Sequence, residues 1–172
     1  MNLNRTWFTA DTHFNHALMQ HGYRTEYKDV EEMNEGIIKT WNSLVKPDDD
    51  VYHLGDFAWK YPEQFVDRLK GRIHLILGNH DRLKAWQKEM FASVQDVLWL
   101  SPKNHRHGPG IFLSHYPHRS WKNKEYGSIH LHGHCHGSMP DYYRSTDVGW
   151  DKHNMPVPLD ILIASMKDVD PK

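Results

Sequence analysis

The sequence predicts an α/β fold. Short apolar runs of strand length alternate with longer segments whose apolar residues recur at helical spacing. Five of the short runs also stop abruptly at a glycine, an aspartate or a histidine. With no internal repeat, low-complexity tract or Gly/Ser linker, residues 1–172 are expected to form a single domain around one core.

The elements follow in order. Thr6 to Ala10 reads as a strand ending at Asp11. Asp29 with Glu32 three residues on forms a capping box, and Val30, Met33, Ile37, Trp41, Leu44 and Val45 follow at helical spacing until Pro47 and three aspartates stop the helix. Val51 to Leu54 is a strand ending at Gly55-Asp56. Pro62 suits the first turn of a helix that buries Phe65, Val66 and Leu69, with Gly71 as its cap. Arg72 to Leu77 is a strand ending at Gly78-Asn79-His80-Asp81. A helix is expected over Leu83 to Phe91 and one strand over Val94 to Leu100, then a polar, basic loop from Ser101 to Gly110. Ile111 to Ser114 ends at His115, and Ser128 to His132 ends at Gly133-His134-Cys135-His136. A short strand near Val148 and a helix from about Pro158 to Met166 close the chain.

Hydrophobic residues make up 38% and charged residues 25%, the balance of an ordinary globular chain. A formal charge of -1 gives no large positive field, so no stable nucleic-acid partner is expected. Cys135 is the only cysteine, which excludes an internal disulfide and a thiolate zinc site. No apolar run has the length of a signal peptide or a membrane span, so the expectation is a cytoplasmic protein without a membrane. The unusual count is 15 histidines, scattered along the chain.

Ligands of open α/β sheets bind beyond the carboxyl ends of the strands. Asp11-Thr12-His13, Gly55-Asp56, Gly78-Asn79-His80-Asp81, His115 and Gly133-His134-Cys135-His136 all stand at such ends. Any one of them alone reads as a turn; five at five strand ends read as one crevice. Asp and His are ligands suited to Mn, Fe, Ni or Zn. In the two motifs with ligands two residues apart, an extended backbone would point both side chains the same way and turn Cys135 outward as a packing residue.

These residues, taken in this order, resemble the calcineurin-like metallophosphoesterases, whose pattern is Asp-x-His, Gly-Asp, Gly-Asn-His-Asp/Glu, His and Gly-His-x-His. The resemblance spans residues 11 to 136, with Asn15-His16 where relatives commonly carry Gly-His. It implies a four-layer αββα sandwich of two mixed sheets flanked by helices. It also implies two divalent transition-metal ions. One would be held by Asp11, His13, Asp56 and His136, the other by Asp56, Asn79, His115 and His134, with Asp56 between them. His80 would stand beside the leaving group, with Asp81 orienting it.

The chemistry this implies follows from charge. Two divalent ions, offset by Asp11, Asp56 and one hydroxide, keep a net positive charge that attracts a phosphate and acidifies the bridging water. The expected activity is hydrolysis of phosphomonoesters or phosphodiesters, with a small nucleotide-like ester as the expected substrate. Arg24 and Arg119 are candidate substrate contacts, Arg119 within the basic, aromatic stretch 118–124. A solvated loop is the plainer reading of that stretch. His53 and His74, inside their strands, read as packed or supporting histidines. Two other functions stay open: a nuclease or nucleic-acid end-processing phosphatase, and a non-catalytic interaction scaffold, which the complete ligand set disfavours.

Overall fold

The computed structural model describes residues 5–101 and 110–169. Its first sheet has the order β4-β3-β2-β1-β9. Here β1 is Thr6–Thr9, β2 Asp50–His53, β3 Arg72–Ile76, β4 Ser93–Gln95 and β9 Val157–Pro158. The first four strands run parallel, and β9 adds an antiparallel edge. The second sheet has the order β5-β6-β7-β8, formed by Val97–Leu100, Ile111–Ser114, Ile129–His132 and Ser145–Asp147. In it β6, β7 and β8 run parallel while β5 is antiparallel.

Strand alternation divides the buried side chains into two cores. Val51, Ile73 and Leu75 point from the first sheet toward the helices, where they meet Met33, Ile37 and Trp41 of α2 (Val30–Leu44) and Phe65 and Val66 of α3 (Glu63–Val66). Phe8, Tyr52, Leu54 and Ile76 point the other way and meet Ile111, Leu113, Ile129 and Leu131 of the second sheet, with Leu159 and Leu162 of α6 (Leu159–Ser165). The outer face of the second sheet carries Phe112 and His130, against which His118 and Trp121 pack; a 3-10 turn follows at Lys124–Tyr126. The expected architecture of two mixed sheets flanked by helices is thus present, with a much lighter cover on the second sheet than on the first.

The start of α2 follows from its sequence. The Asp29 carboxylate accepts from the Glu32 N–H at 2.8 Å, and Glu32 reaches back to the Lys28 N–H at 2.7 Å, one residue before the partner a standard capping box would use. Three expectations change. The run Val94 to Leu100 is two strands in different sheets, because the chain leaves the first sheet at exposed Asp96 and enters the second. The helix expected over Leu83 to Phe91 shrinks to α4, Ala85–Lys88, because Lys84 is extended; Leu83 and Met90 still pack on the core while Trp86 is 49% exposed. The short strand expected near Val148 is β8, which ends just before it, and β9 follows as a further short strand the sequence does not announce. Two short helices, α1 (Ala17–Gly22) and α5 (Trp150–His153), carry no periodicity long enough to announce them. Most of the loop expected from Ser101 to Gly110 lies outside the described residues, as do His105 and His107. Among the described residues no helix is long and apolar enough to cross a membrane.

Candidate metal centre

The carboxyl ends of β1, β2 and β3 from one sheet and β6 and β7 from the other converge, and all seven expected ligands stand there. The backbone does not reach them as an extended chain. Asp11, His13, Asp56, His134 and His136 all have positive φ, between 48° and 68°. Each such residue costs about 1–3 kcal/mol and persists only where its surroundings hold it. The paired ligands are therefore aimed by left-handed turns at the strand ends, not by strand alternation, which corrects the expectation for Asp11/His13 and His134/His136.

What holds these turns is a set of ties across the crevice. Asp11 N–H donates to Gly55 O at 2.9 Å and His13 N–H to Asp56 O at 3.0 Å. His134 N–H donates to Asp11 Oδ2 at 2.9 Å, and His80 N–H to Asp56 Oδ1 at 2.9 Å. Both carboxylates thus keep their second oxygen for the centre. Gly133 makes the Asp11 contact possible: a Cβ there would lie 2.5 Å from Ala10 Cβ and 2.6 Å from Asp11 Oδ2.

Among the described residues two groups have the donors to hold a metal ion, Asp11 with His13 and His136, and Asp56 with His115 and His134. Asp56 joins them. Its Oδ2 lies 3.6 Å from His13 Nε2 and 3.5 Å from His115 Nε2. Asn79 belongs to the second group, with Oδ1 at 2.9 Å from His115 Nε2 and 3.1 Å from His134 Nδ1. His80 Nε2 is 3.9 Å from Asp56 Oδ2, and the ring is 37% exposed. Cys135 stays out of both groups and contacts Met139.

The donor set fits cations. Burial, then the nearby Asp147 and Asp56 carboxylates, pushes the Asp11 carboxyl well above its ordinary range. Burial, then His136, lowers His13 to about 2, and burial lowers His115. The rings of His13 and His115 are thus neutral, with lone pairs available. Asp11 Oδ1 and both ring nitrogens of His13 are buried without a hydrogen-bond partner, an expensive state that a bound cation would relieve.

The sequence shows only part of what supports the ligands. Asp151, at the start of α5, accepts from His136 Nδ1 at 2.6 Å and fixes that ring, the usual way a ligand histidine is oriented. Burial raises the Asp151 carboxyl, but the bonds from His136 and Arg24 prevail and hold it at about 2. The signal for it was present: Asp147, Gly149 and Asp151 repeat the strand-end pattern after β8. His53, as expected, is a buried support, with Nε2 at 2.9 Å from Thr12 Oγ1.

Three expected roles change. Arg24 is no substrate contact: its guanidinium is buried, pairs with Asp151 at 2.8 Å and donates to the carbonyls of Thr12 and Asp11. The sequence hides this because a cation on a polar segment reads as solvated while its partner lies 127 residues away. Asp81 does not orient His80. Its carboxylate accepts from the backbone N–H groups of Asp56, Phe57 and Gly78 at 2.8–2.9 Å and so shapes the loops that present Asp56 and Asn79. Arg119 is exposed and lines a separate cavity with His118, His132 and Tyr142.

Fold and centre together define an α/β domain of two mixed sheets that gathers histidines and carboxylates at the strand ends. The chain is 31% identical to protein MJ1445 of Methanocaldococcus jannaschii, itself uncharacterized, over 95% of this chain and 92% of that one, and it belongs to the same family. No family model matches it. Among solved structures, protein AQ665 of unknown function from Aquifex aeolicus superposes with a TM-score of 0.67 at 25% identity, covering 88% of this chain and 94% of that one. A novel archaeal phosphodiesterase gives 0.49 at 18% identity, covering 84% and 81%, a likeness too slight to bear on activity.

Proposed function

We propose that the chain is a phosphoesterase that works with two divalent transition-metal ions. One observation carries the reading: a single carboxylate oxygen, Asp56 Oδ2, lies within 3.6 Å of a histidine from each of two potential ligand groups. Asp11, His13 and His136 would hold one ion, Asn79, His115 and His134 the other, and Asp56 both. Two such ions supply the charge that draws in a phosphate ester and acidifies a water at neutral pH.

The chain's own residues do the rest. Asp151 and Leu54 O, each accepting from an Nδ1–H, orient the rings of His136 and His115. Asp81 fixes the backbone that presents Asp56. His80, partly exposed at the rim, would donate to the leaving oxygen. The histidine-rich donor set suits Mn or Ni better than Mg, which prefers oxygen ligands.

The test is metal content together with hydrolysis of matched p-nitrophenyl mono- and diesters. Two ions per chain and diester hydrolysis faster with Mn or Ni than with Mg are expected. A content that stays at one or below under saturating metal would overturn the dinuclear reading.

A further inference from the structure

Beside His80 the surface opens into a cavity of about 480 Å³. Its walls include Trp59, Tyr61 and Trp86, which are 43%, 56% and 49% exposed. Three large aromatic side chains left open around one hollow serve no core. Lys60, Arg82 and Lys84 share the same walls, and among the described residues none of the three is held in an ion pair.

The hollow is joined to the centre. Trp59 packs on His80 at 5.1 Å between ring centroids and on His16 at 4.3 Å. It is also held in place: Trp59 N–H donates to Phe14 O at 2.8 Å, and Asn15 Nδ2 donates to Lys60 O at 3.2 Å. Tyr61 sits at φ 56°, a strained conformation within that anchored segment. On the far wall Gln87 donates to Glu63 at 2.7 Å and ties α4 to α3. The aromatic faces are thus presented by braced backbone, which lowers the ordering cost of binding.

Resting on the phosphoesterase reading and on the place of His80 in it, we infer that this cavity is the subsite for the leaving alcohol, and that the alcohol is a nucleoside. Its volume is in the range of small-ligand sites. Open aromatic faces stack any base, and unpaired cations beside them suit a ligand that carries phosphate. An alkyl alcohol would use neither. In the reaction, water adds hydroxyl to phosphorus, the bond from phosphorus to the nucleoside oxygen breaks, and that oxygen takes a proton on the His80 side.

The test uses the metal-loaded protein and its Trp86→Ala variant. Methyl adenosine 5′-phosphate, a diester, has two possible leaving groups, and adenosine plus methyl phosphate is the product pair expected, rather than AMP plus methanol. In Trp86→Ala the ratio of kcat/KM for this substrate to that for methyl ethyl phosphate should fall about 5- to 150-fold, the range for loss of one stacked base. AMP plus methanol as products, or an unchanged ratio, overturns the subsite. Adenosine alone should quench tryptophan fluorescence in the metal-free protein, with affinity weakened in Trp86→Ala. If no ester is hydrolysed, the phosphoesterase reading fails, and this quenching decides the nucleoside site separately: its absence overturns it.

Discussion

Asp56 occupies the position on which the centre turns. Its Oδ1 accepts from His80 N–H and its Oδ2 faces His13 and His115. Replacing it with asparagine keeps the shape but removes the charge shared by both groups. Asp56→Asn should therefore lose more activity than the roughly 10- to 100-fold typical of a residue that only supports a ligand. Metal content should drop from two ions per chain, and near-normal turnover at saturating metal would show that the carboxylate is not shared. His80 differs, because its ring stands at the rim while its backbone does the tying. His80→Ala should keep both ions and lower turnover, and the loss should be larger for alkyl than for p-nitrophenyl esters, since a good leaving group needs little protonation. Equal losses on both would remove the acid role.

At the scale of elements, the site depends on α5, which no periodicity announced. Bridge pairing of Ala10 with Gly149 and the bond from Trp150 N–H to Ala10 O at 2.9 Å fasten its start to the end of β1. This brings Asp151 between Arg24 and His136. In Asp151→Asn the buried guanidinium loses its counter-charge and His136 loses its orienting carboxylate. Metal affinity, read by competition with a chelator, should fall about 10- to 100-fold. An unchanged affinity would show that His136 needs no orientation from α5. The case also shows what the sequence could reveal. Strand ends were legible because each bears glycine, aspartate or histidine after an apolar run, and these ends place all seven candidate ligands. Partners distant in sequence were not legible, so Arg24 looked free and Asp81 looked like a companion of its neighbour. The break at Asp96 was also hidden, since a β pattern says where side chains point, not which sheet the strand joins.

Across the whole molecule, histidines buried as neutral rings couple folding to pH. His130 lies between the hydroxyls of Ser114 and Ser145, each 2.8–2.9 Å away, and is fully buried. Burial, then His132 and His118, lowers its pKa to about 2. In the unfolded chain the ring returns to about 6.5. Below that pH the unfolded chain takes up a proton that the folded chain refuses, so stability falls as pH drops from about 6.5 toward 2. The slope is about 1.4 kcal/mol per pH unit for one such ring. His53, lowered to about 3 by burial and then His115, adds a second contribution of the same sign. Asp81, pushed up to about 6 by burial, acts in the opposite sense, because its folded form takes the proton first. The total slope therefore mixes signs, and the informative quantity is a difference. Urea unfolding of the wild type and of His130→Gln, both in chelator, should be compared at pH 7.5 and pH 5. The wild-type advantage should shrink by about 2 kcal/mol between them, the product of one ring's slope and the pH interval below 6.5. A constant difference would mean that His130 is not the neutral, buried ring whose charging opposes folding.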